Sequence, residues 1–287
     1  MNVLSLFGGI EVGRDACKDL EDLKIFKIDN YFSSEICPNA MKVASDNYPN
    51  TKHIGDCKEI RCAELPKIDI LFAGFPCQTV SLANKGGQDI HSGKSSLVFE
   101  LYRIYKELKV LNPNLIFIIE NVKMSKANED VVSDLFGVKP LVLNSAKVSI
   151  QNRKRLYWTN INVTQELEDK GILLKDNFCQ EYDESLILKG KGLNKLNRER
   201  NRMISIYSDK CPTLMKSQDK LPTDAIVFEQ DGIYRYPTRR ECELMQTLKP
   251  GYTKAVNYRI ATGLLGNAWT KDIIVYLLKN HYELRKL

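Results

Sequence analysis

The sequence predicts an α/β fold in which a parallel sheet is joined by a second, smaller irregular lobe. Over the first 160 residues, short apolar runs alternate with helix-patterned segments, as βαβ units require. The run "DILFA" at 69–73 lies between turn signals and has the continuous apolarity of a strand buried on both faces. From about residue 161 the texture turns polar and weakly periodic, punctuated by Pro212, Pro222 and Pro237.

Each element follows in order. "NVLSLF" at 2–7 is a first strand, and "FGGIEVG" at 7–13 is a glycine turn that opens a helix. "YFSSE" at 31–35 is a second strand, "KHIGD" at 52–56 a short third, "DILFAG" at 69–74 a fourth and "LIFIIEN" at 115–121 a fifth. Between the last two, "SSLVFELYRIYKELKVL" places Leu97, Leu101, Ile104, Tyr105, Leu108 and Leu111 at helical spacing, so it is the crossover helix. "KPLVLNSAKVS" and "RLYWTNI" resemble two further strands. Helical periodicity returns at 258–284, interrupted by Gly266 and Asn267. The expected organisation is a first domain at 1–160, a small lobe at 161–250 and a closing segment at 251–287 that returns to the first domain.

Composition narrows the classes of function. The 287 residues are 43% hydrophobic, enough for one large core and a smaller lobe. No apolar run approaches the length of a membrane span, and "MNVLSLFGGI" lacks the basic start of a signal peptide, so an intracellular protein is expected. The eight cysteines form no CxxC pair, and His53, His91 and His281 are far apart, so neither a metal site nor a disulfide framework is indicated. Lys and Arg number 42 against 36 Asp and Glu, a net charge of +6. The surplus gathers in "KGKGLNKLNRERNR" at 189–202, where Lys189, Lys191, Lys195, Arg198, Arg200 and Arg202 face a single Glu199. Such a stripe suits either phosphate contacts or a solvated face.

Four strand ends invite chemistry. Cys77, in "GFPCQTVS", follows the fourth strand at the edge where ligands of open α/β sheets collect; it reads as a nucleophile or as a packed thiol. The glycine turn after the first strand and Glu35 after the second suit a nucleoside, with backbone N–H groups at a helix start and a carboxylate for ribose hydroxyls. The turn lacks the full GxGxxG spacing, which favours a cofactor without pyrophosphate, a description S-adenosylmethionine meets. Asp56, in "GDC", reads equally as an acceptor for an adenine amino group or as a turn aspartate.

With the glycine turn, "GFPCQ", "ENV" at 120–122, "QNRKR" at 151–155 and "GNAW" at 266–269 in that order, the chain resembles the cytosine-5 DNA methyltransferases over nearly its whole length. Within that family it looks most like the catalytic domain of the eukaryotic de novo enzymes or a phage or bacterial relative of them. "SLFGGIEVG" keeps their single-glycine form, where most bacterial enzymes would show a further glycine pair at Glu11 and Val12. "SGKSSLVFELYRIYKEL", "AKVSIQNRKRLYWTNI" and "LLGNAW" point the same way.

The resemblance implies a Rossmann-like, S-adenosylmethionine-dependent methyltransferase sheet, with 161–250 as the target-recognition lobe. Cys77 would attack cytosine carbon 6 and Glu120 would hold or donate a proton at ring nitrogen 3. Arg153 and Arg155 would serve Glu120, the base carbonyl and a phosphate. Arg153 is favoured as the partner of Glu120 and Arg155 as that of the base or phosphate, although the sequence does not separate these roles. Phe7, Gly8, Gly9, Ile10, Glu35, Ile36, Asp56, Cys57, Gly74, Pro76, Asn267, Ala268 and Trp269 carry over as cofactor contacts, Phe7 and Trp269 equally as core aromatics. The 18-residue loop at 79–96, with Ser81, Lys85, His91 and Lys94, would close over DNA or be a plain surface loop.

The implied partners are duplex DNA, no membrane, and a second copy of the chain bound through the catalytic domain. A bacterial or phage-encoded chain would be cytoplasmic, and only a eukaryotic one nuclear. Alternative readings are the same chemistry on transfer RNA, transfer of a larger group from a modified cofactor, and a catalytically silent DNA-binding regulator. One RNA-acting branch carries a Cys-Phe-Thr tripeptide, which this sequence lacks.

Overall fold

The computed structural model of the protein describes residues 1–76, 90–91, 93–189, 202–218 and 225–283. The chain divides into two compact units, one made of 1–143, 154–165 and 275–287, the other of 144–153 and 166–274. Contacts therefore group the segments 144–153 and 251–274 differently from the change in sequence texture, which marked breaks at 160 and 250.

Among the described residues, the first unit is built on β1 (Asn2–Leu6), β2 (Asn30–Ser34), β3 (Lys52–His53), β4 (Ile70–Ala73), β5 (Ile116–Asn121), β6 (Leu141–Asn144) and β8 (Lys154–Thr159). They form one sheet in the order β3-β2-β1-β4-β5-β8-β6. β1 pairs parallel with β2 and with β4, β2 with β3, and β4 with β5. β8 runs antiparallel to β5, with Glu120 opposite Tyr157 and Asn121 opposite Leu156. The sheet is therefore mixed, and the parallel arrangement expected from the sequence ends at β5. The chain winds from β1 toward β3 in one direction and from β4 toward β5 in the other. That reversal opens a crevice at the carboxyl ends of β1 and β4, the usual ligand site of such sheets.

The apolar runs form strands because both faces of the central sheet are covered. Val3, Leu4, Leu6, Ile70, Leu71 and Phe72 have no exposed surface. α1 (Val12–Asp22) buries Val12, Ala16 and Leu20 at four-residue spacing, and α2 (Pro38–Asn47) starts at a proline, which is pre-set for the first helical turn. α3 (Leu97–Leu111) buries Val98, Leu101, Ile104 and Leu108. Each such buried Leu or Ile contributes about 1.5–3 kcal/mol. Leu111, expected on this face, lies at the helix end and is half exposed. α4 (Lys126–Phe136) is capped by Ser125, whose side chain accepts from the Asn128 N–H, and it ends at Gly137 with φ 68°. Phe136 completes an aromatic cluster with Tyr102, Tyr105 and Phe117.

The second unit has more regular structure than its sequence suggests. β9 (Arg202–Ser205) pairs parallel with β11 (Ile226–Gln230), and β12 (Ile233–Arg235) pairs antiparallel with β11. Asp231 and Gly232, both at positive φ, make the tight turn between β11 and β12, the signature of an Asp-Gly hairpin. β7 (Gln151–Asn152) pairs parallel with β10 (Cys211–Pro212). α5 (Arg239–Met245) starts in a capping box between Thr238 and Glu241, and α6 (Tyr258–Asn267) is capped by the Asn257 side chain. α7 (Lys271–Glu283) carries the chain from the second unit into the first. Among the described residues, no helix is long and apolar enough to cross a membrane.

Candidate active site

The turn after β1 is set by three left-handed residues in alternation, Phe7 (φ 57°), Gly9 (φ 57°) and Glu11 (φ 59°). The Phe7 N–H donates to the Ser34 carbonyl at 2.8 Å, and the Glu11 N–H to Gly8 at 3.0 Å. Two side chains hold this conformation against its cost, about 1 kcal/mol or more per non-glycine residue. The first is Glu35, whose Oε2 accepts from the Gly9 N–H at 2.9 Å while Oε1 accepts from the Ile36 and Cys37 N–H groups at 2.8 and 2.7 Å. A carboxylate has roughly four acceptor positions, so one remains. The second is Glu11, which packs beneath Gly8 so closely that a Cβ there would lie 1.9 Å from its Oε1. A Cβ on Gly9, by contrast, would meet nothing within 4 Å, so the turn is open on that side. Ile10 is buried and Phe7 half-buried against the core, while Ile36 is 71% exposed.

Beyond β3, Asp56 caps the 3₁₀ turn Cys57–Glu59, its Oδ1 accepting from the Lys58 N–H at 3.0 Å. Cys57 is buried, and burial together with the Asp56 charge pushes its thiol up to about 12, which leaves it unreactive at neutral pH. Arg103 of α3 pins this segment. Its Nη1 and Nη2 donate to the Ile60 and Cys57 carbonyls at 3.2 and 3.3 Å, and it pairs with Glu100 and Glu107 at 3.0 and 2.9 Å.

β4 delivers Gly74, Phe75 and Pro76 to the carboxyl edge of the sheet. The Phe75 carbonyl accepts from Asn121 Nδ2 at 3.0 Å, and the Pro76 carbonyl from Ser95 Oγ at 2.9 Å. The two residues before Cys77 are thus anchored from β5 and from the 3₁₀ turn Gly93–Ser96; Cys77 itself lies outside the described residues.

At the end of β5, Glu120 is 8% exposed, and its Oε1 stands 3.1 Å from Arg155 Nε. The register explains the pair. Glu120 faces Tyr157, so Arg155, two residues earlier on β8, is its diagonal neighbour on the same face. The sequence favoured Arg153 in this role. Instead Arg153, at the break between β7 and β8, is buried in the second unit, where Nη1 donates to the Leu214 carbonyl at 3.0 Å and Nη2 to Ala268 at 2.8 Å, with Gly266 at 3.4 Å. Gly266 and Ala268 lie at the carboxyl end of α6, where a cation is favoured. Arg153 thereby fixes "GNAW", in which Ala268 is buried, Asn267 is exposed and Trp269 is half-buried. Gly266 has no room for a side chain, since a Cβ would lie 2.3 Å from the Met215 backbone.

The first unit therefore gathers Phe7, Gly8, Gly9, Ile10, Glu35, Ile36, Asp56, Cys57, Gly74, Pro76, Glu120 and Arg155 at the carboxyl edge of adjacent strands. Asn267, Ala268 and Trp269 belong to the second unit. Of the expected DNA contacts, Lys94 and Lys189 are exposed, and Arg202 donates to the Thr213 carbonyl. Ser81, Lys85, Lys191, Lys195, Arg198 and Arg200 lie outside the described residues. Among the described residues no cluster of His, Cys, Asp and Glu could hold a metal ion. Asn121, Ser95, Arg103 and Glu11 shape the site without having been assigned a role from the sequence. Asn121 alone had a signal, its place inside "ENV".

The family model for C-5 cytosine-specific DNA methylases matches residues 1–185. The type II methyltransferase M.NgoBV of Neisseria gonorrhoeae is 36% identical over 148 residues, 45% of this chain and 33% of the relative. The matched region thus spans about a third of that relative's length. M.Bsp6I of a Bacillus species is 25% identical over an alignment that covers 100% of this chain and 84% of its own. Among solved structures, the S. pombe Dnmt2 methyltransferase superposes with a TM-score of 0.78 at 19% identity, covering 100% of both chains. The Entamoeba histolytica methyltransferase EhMeth does so at 0.81 and 16%, covering 100% of this chain and 99% of its own. With its sheet, its turn and the residues at its strand ends in the arrangement described, the chain belongs to the C-5 cytosine-specific DNA methylase family.

Proposed function

We propose that the protein transfers a methyl group from S-adenosylmethionine to carbon 5 of a cytosine flipped out of duplex DNA, through a covalent bond to Cys77. The observation that carries this is the buried Glu120–Arg155 pair at the end of β5, beside the anchored Gly74–Pro76 segment that leads into Cys77. Parallel β4 and β5 are neighbours, so their carboxyl ends are adjacent.

The residues of the turn suit the cofactor. Gly9 leaves open space, Glu35 keeps an acceptor position for ribose hydroxyls, Ile36 offers an exposed apolar surface to a flat base, and Asp56 retains Oδ2 for an amino group. When bound, S-adenosylmethionine supplies an electrophilic methyl group on its sulfonium.

Cytosine carbon 5 is a poor nucleophile until a group adds at carbon 6. The Cys77 thiolate forms that bond, and the carbon 5–carbon 6 electron pair moves into the ring as negative charge toward nitrogen 3. Glu120 holds the proton at nitrogen 3, and Arg155 fixes the carboxyl in place and balances its charge. Carbon 5 then takes the methyl group and loses its proton to a base or water, the carbon 6–sulfur bond breaks to release Cys77 as thiolate, and Glu120 takes back the nitrogen 3 proton. Flipping is required because carbons 5 and 6 are inaccessible within the stack. The second unit reads the target, and the stripe at 189–202 contacts phosphates.

Duplex DNA is favoured over transfer RNA because the sequence lacks the Cys-Phe-Thr tripeptide and the related type II enzymes are DNA-modifying by family. Incubating the protein with S-adenosylmethionine and either duplex DNA or transfer RNA, then weighing the digested nucleosides, tests this. Deoxycytidine one methyl heavier, with unchanged RNA, is the expected result. Methylated RNA with unmodified DNA, or no product from either, overturns the reading, and a larger mass increment redirects the cofactor assignment.

A further inference from the structure

We propose that Glu11 lets the cofactor turn discriminate S-adenosylmethionine from its demethylated product, S-adenosylhomocysteine, by fixing an ionisable carboxyl directly beneath the turn; this rests on the reading that the turn binds that cofactor. The geometry is specific. Glu11 has no exposed surface, stands at the start of α1 and folds back under Gly8, where a Cβ would lie 1.9 Å from its Oε1 and 2.7 Å from Ser5 Oγ. The Tyr31 hydroxyl donates to Oε2 at 2.7 Å. A carboxyl so enclosed cannot swing away when the backbone above it takes a ligand.

The groups that face it come from every surrounding element. Ser5 of β1, Tyr31 and Ser33 of β2 and Glu35 beyond β2 surround the carboxyl, with Arg14 and Cys17 on α1 coupled to the same cluster. Burial raises the Glu11 pKa, the hydroxyls of Ser33, Tyr31 and Ser5 pull it back, and the Glu35 charge raises it again, to about 7. Burial holds the Cys17 thiol and the Tyr31 hydroxyl neutral throughout this range. Glu11 is therefore the group in this cluster that gains charge near neutral pH.

The two ligands share adenosine, ammonium and carboxylate, and differ by a methyl group and a positive charge on sulfur. Contacts common to both cancel in the ratio of their affinities. A negative charge beneath the turn acts equally on the shared ammonium and carboxylate, but its attraction for the sulfonium is made by one ligand alone and does not cancel, and it is stronger in a partly desolvated crevice than in water. By reciprocity, the sulfonium ligand favours ionised Glu11 and the neutral product does not. Product is thus held less tightly relative to cofactor as Glu11 loses its proton.

Calorimetric titration of the wild-type protein, Glu11→Gln and Tyr31→Phe with each ligand, from about pH 5.5 to about pH 8.5, tests this. In wild type the preference for S-adenosylmethionine should grow roughly threefold or more, with its midpoint near the Glu11 pKa, whereas Glu11→Gln should show a flat ratio. Tyr31→Phe removes a donor to the ionised carboxyl, so its midpoint should move to higher pH. A flat wild-type ratio, or a Glu11→Gln ratio that follows wild type, overturns the proposal. Should Glu11→Gln fail to fold, an unchanged midpoint in Tyr31→Phe overturns it and an upward move supports it. Failure of wild type to bind either ligand at any pH overturns the cofactor reading instead.

Discussion

Replacing Glu120 by glutamine is expected to lower kcat by roughly 10²–10⁴-fold, the range that a positioned acid–base group supplies. Glutamine keeps the shape and a carbonyl acceptor, but it carries no charge to meet the proton held at cytosine nitrogen 3. It also leaves Arg155 without its ion-pair partner, 3.1 Å away in the wild type. The turn proposed to bind the cofactor follows β1, which is separated from β5 by β4, so S-adenosylmethionine affinity should change by less than about twofold. Single-turnover rates and cofactor titration check both parts. A tenfold loss of cofactor affinity with an unchanged rate would move Glu120 out of the chemistry.

The second large effect concerns folding of the second unit. Glu241→Ala is expected to cost about 3–5 kcal/mol, the penalty for stranding one member of a buried ion pair. Arg235 and Glu241 are both fully buried, with Nη1–Oε2 and Nη2–Oε1 at 2.8 Å each. The same carboxylate accepts from the Thr238 N–H at 2.6 Å and the Cys179 N–H at 2.8 Å, so alanine would strand a guanidinium and two backbone donors. The Arg235 guanidinium also lies 4.6 Å from the Tyr182 ring centre and 5.3 Å from that of Phe228, a setting that suits an apolar replacement. A double variant, Arg235→Met with Glu241→Leu, should therefore recover most of the loss. Urea unfolding followed in the second unit measures this, with a midpoint expected to fall by about 1–3 M in Glu241→Ala. A loss below about 1 kcal/mol would show that the pair does not hold the unit together.

Much of the first unit was legible because its determinants are local. Continuous apolar runs gave β1, β4 and β5, and the 3.6-residue period gave α3, since each depends only on neighbouring residues. The positions of the candidate residues were legible for the same reason, because the glycine turn, Glu35, Asp56 and "ENV" sit where a strand stops. The partners of Arg153 and Arg155 were not legible. Alternation puts both on one side, but Arg153 precedes β8 and its carbonyl acceptors are contributed by Leu214, Gly266 and Ala268, more than 60 residues away in sequence. Glu11 was equally hidden. In the sequence it marks only a missing glycine, and its burial against Tyr31 depends on the pairing of β1 with β2. The second unit looked irregular because its strands are short and because its key pair, Arg235 with Glu241, is tied to Cys179, which lies far back in the chain.

The central claim is that Cys77 forms a bond to the base whose carbon 5 receives a methyl group. Its most direct test is to incubate wild-type protein and Cys77→Ala with S-adenosylmethionine and duplex DNA, digest the DNA and weigh its nucleosides. Wild type should yield deoxycytidine one methyl heavier, and Cys77→Ala, folded and still binding cofactor, should yield none. The same cytosine species from both proteins would contradict the claim.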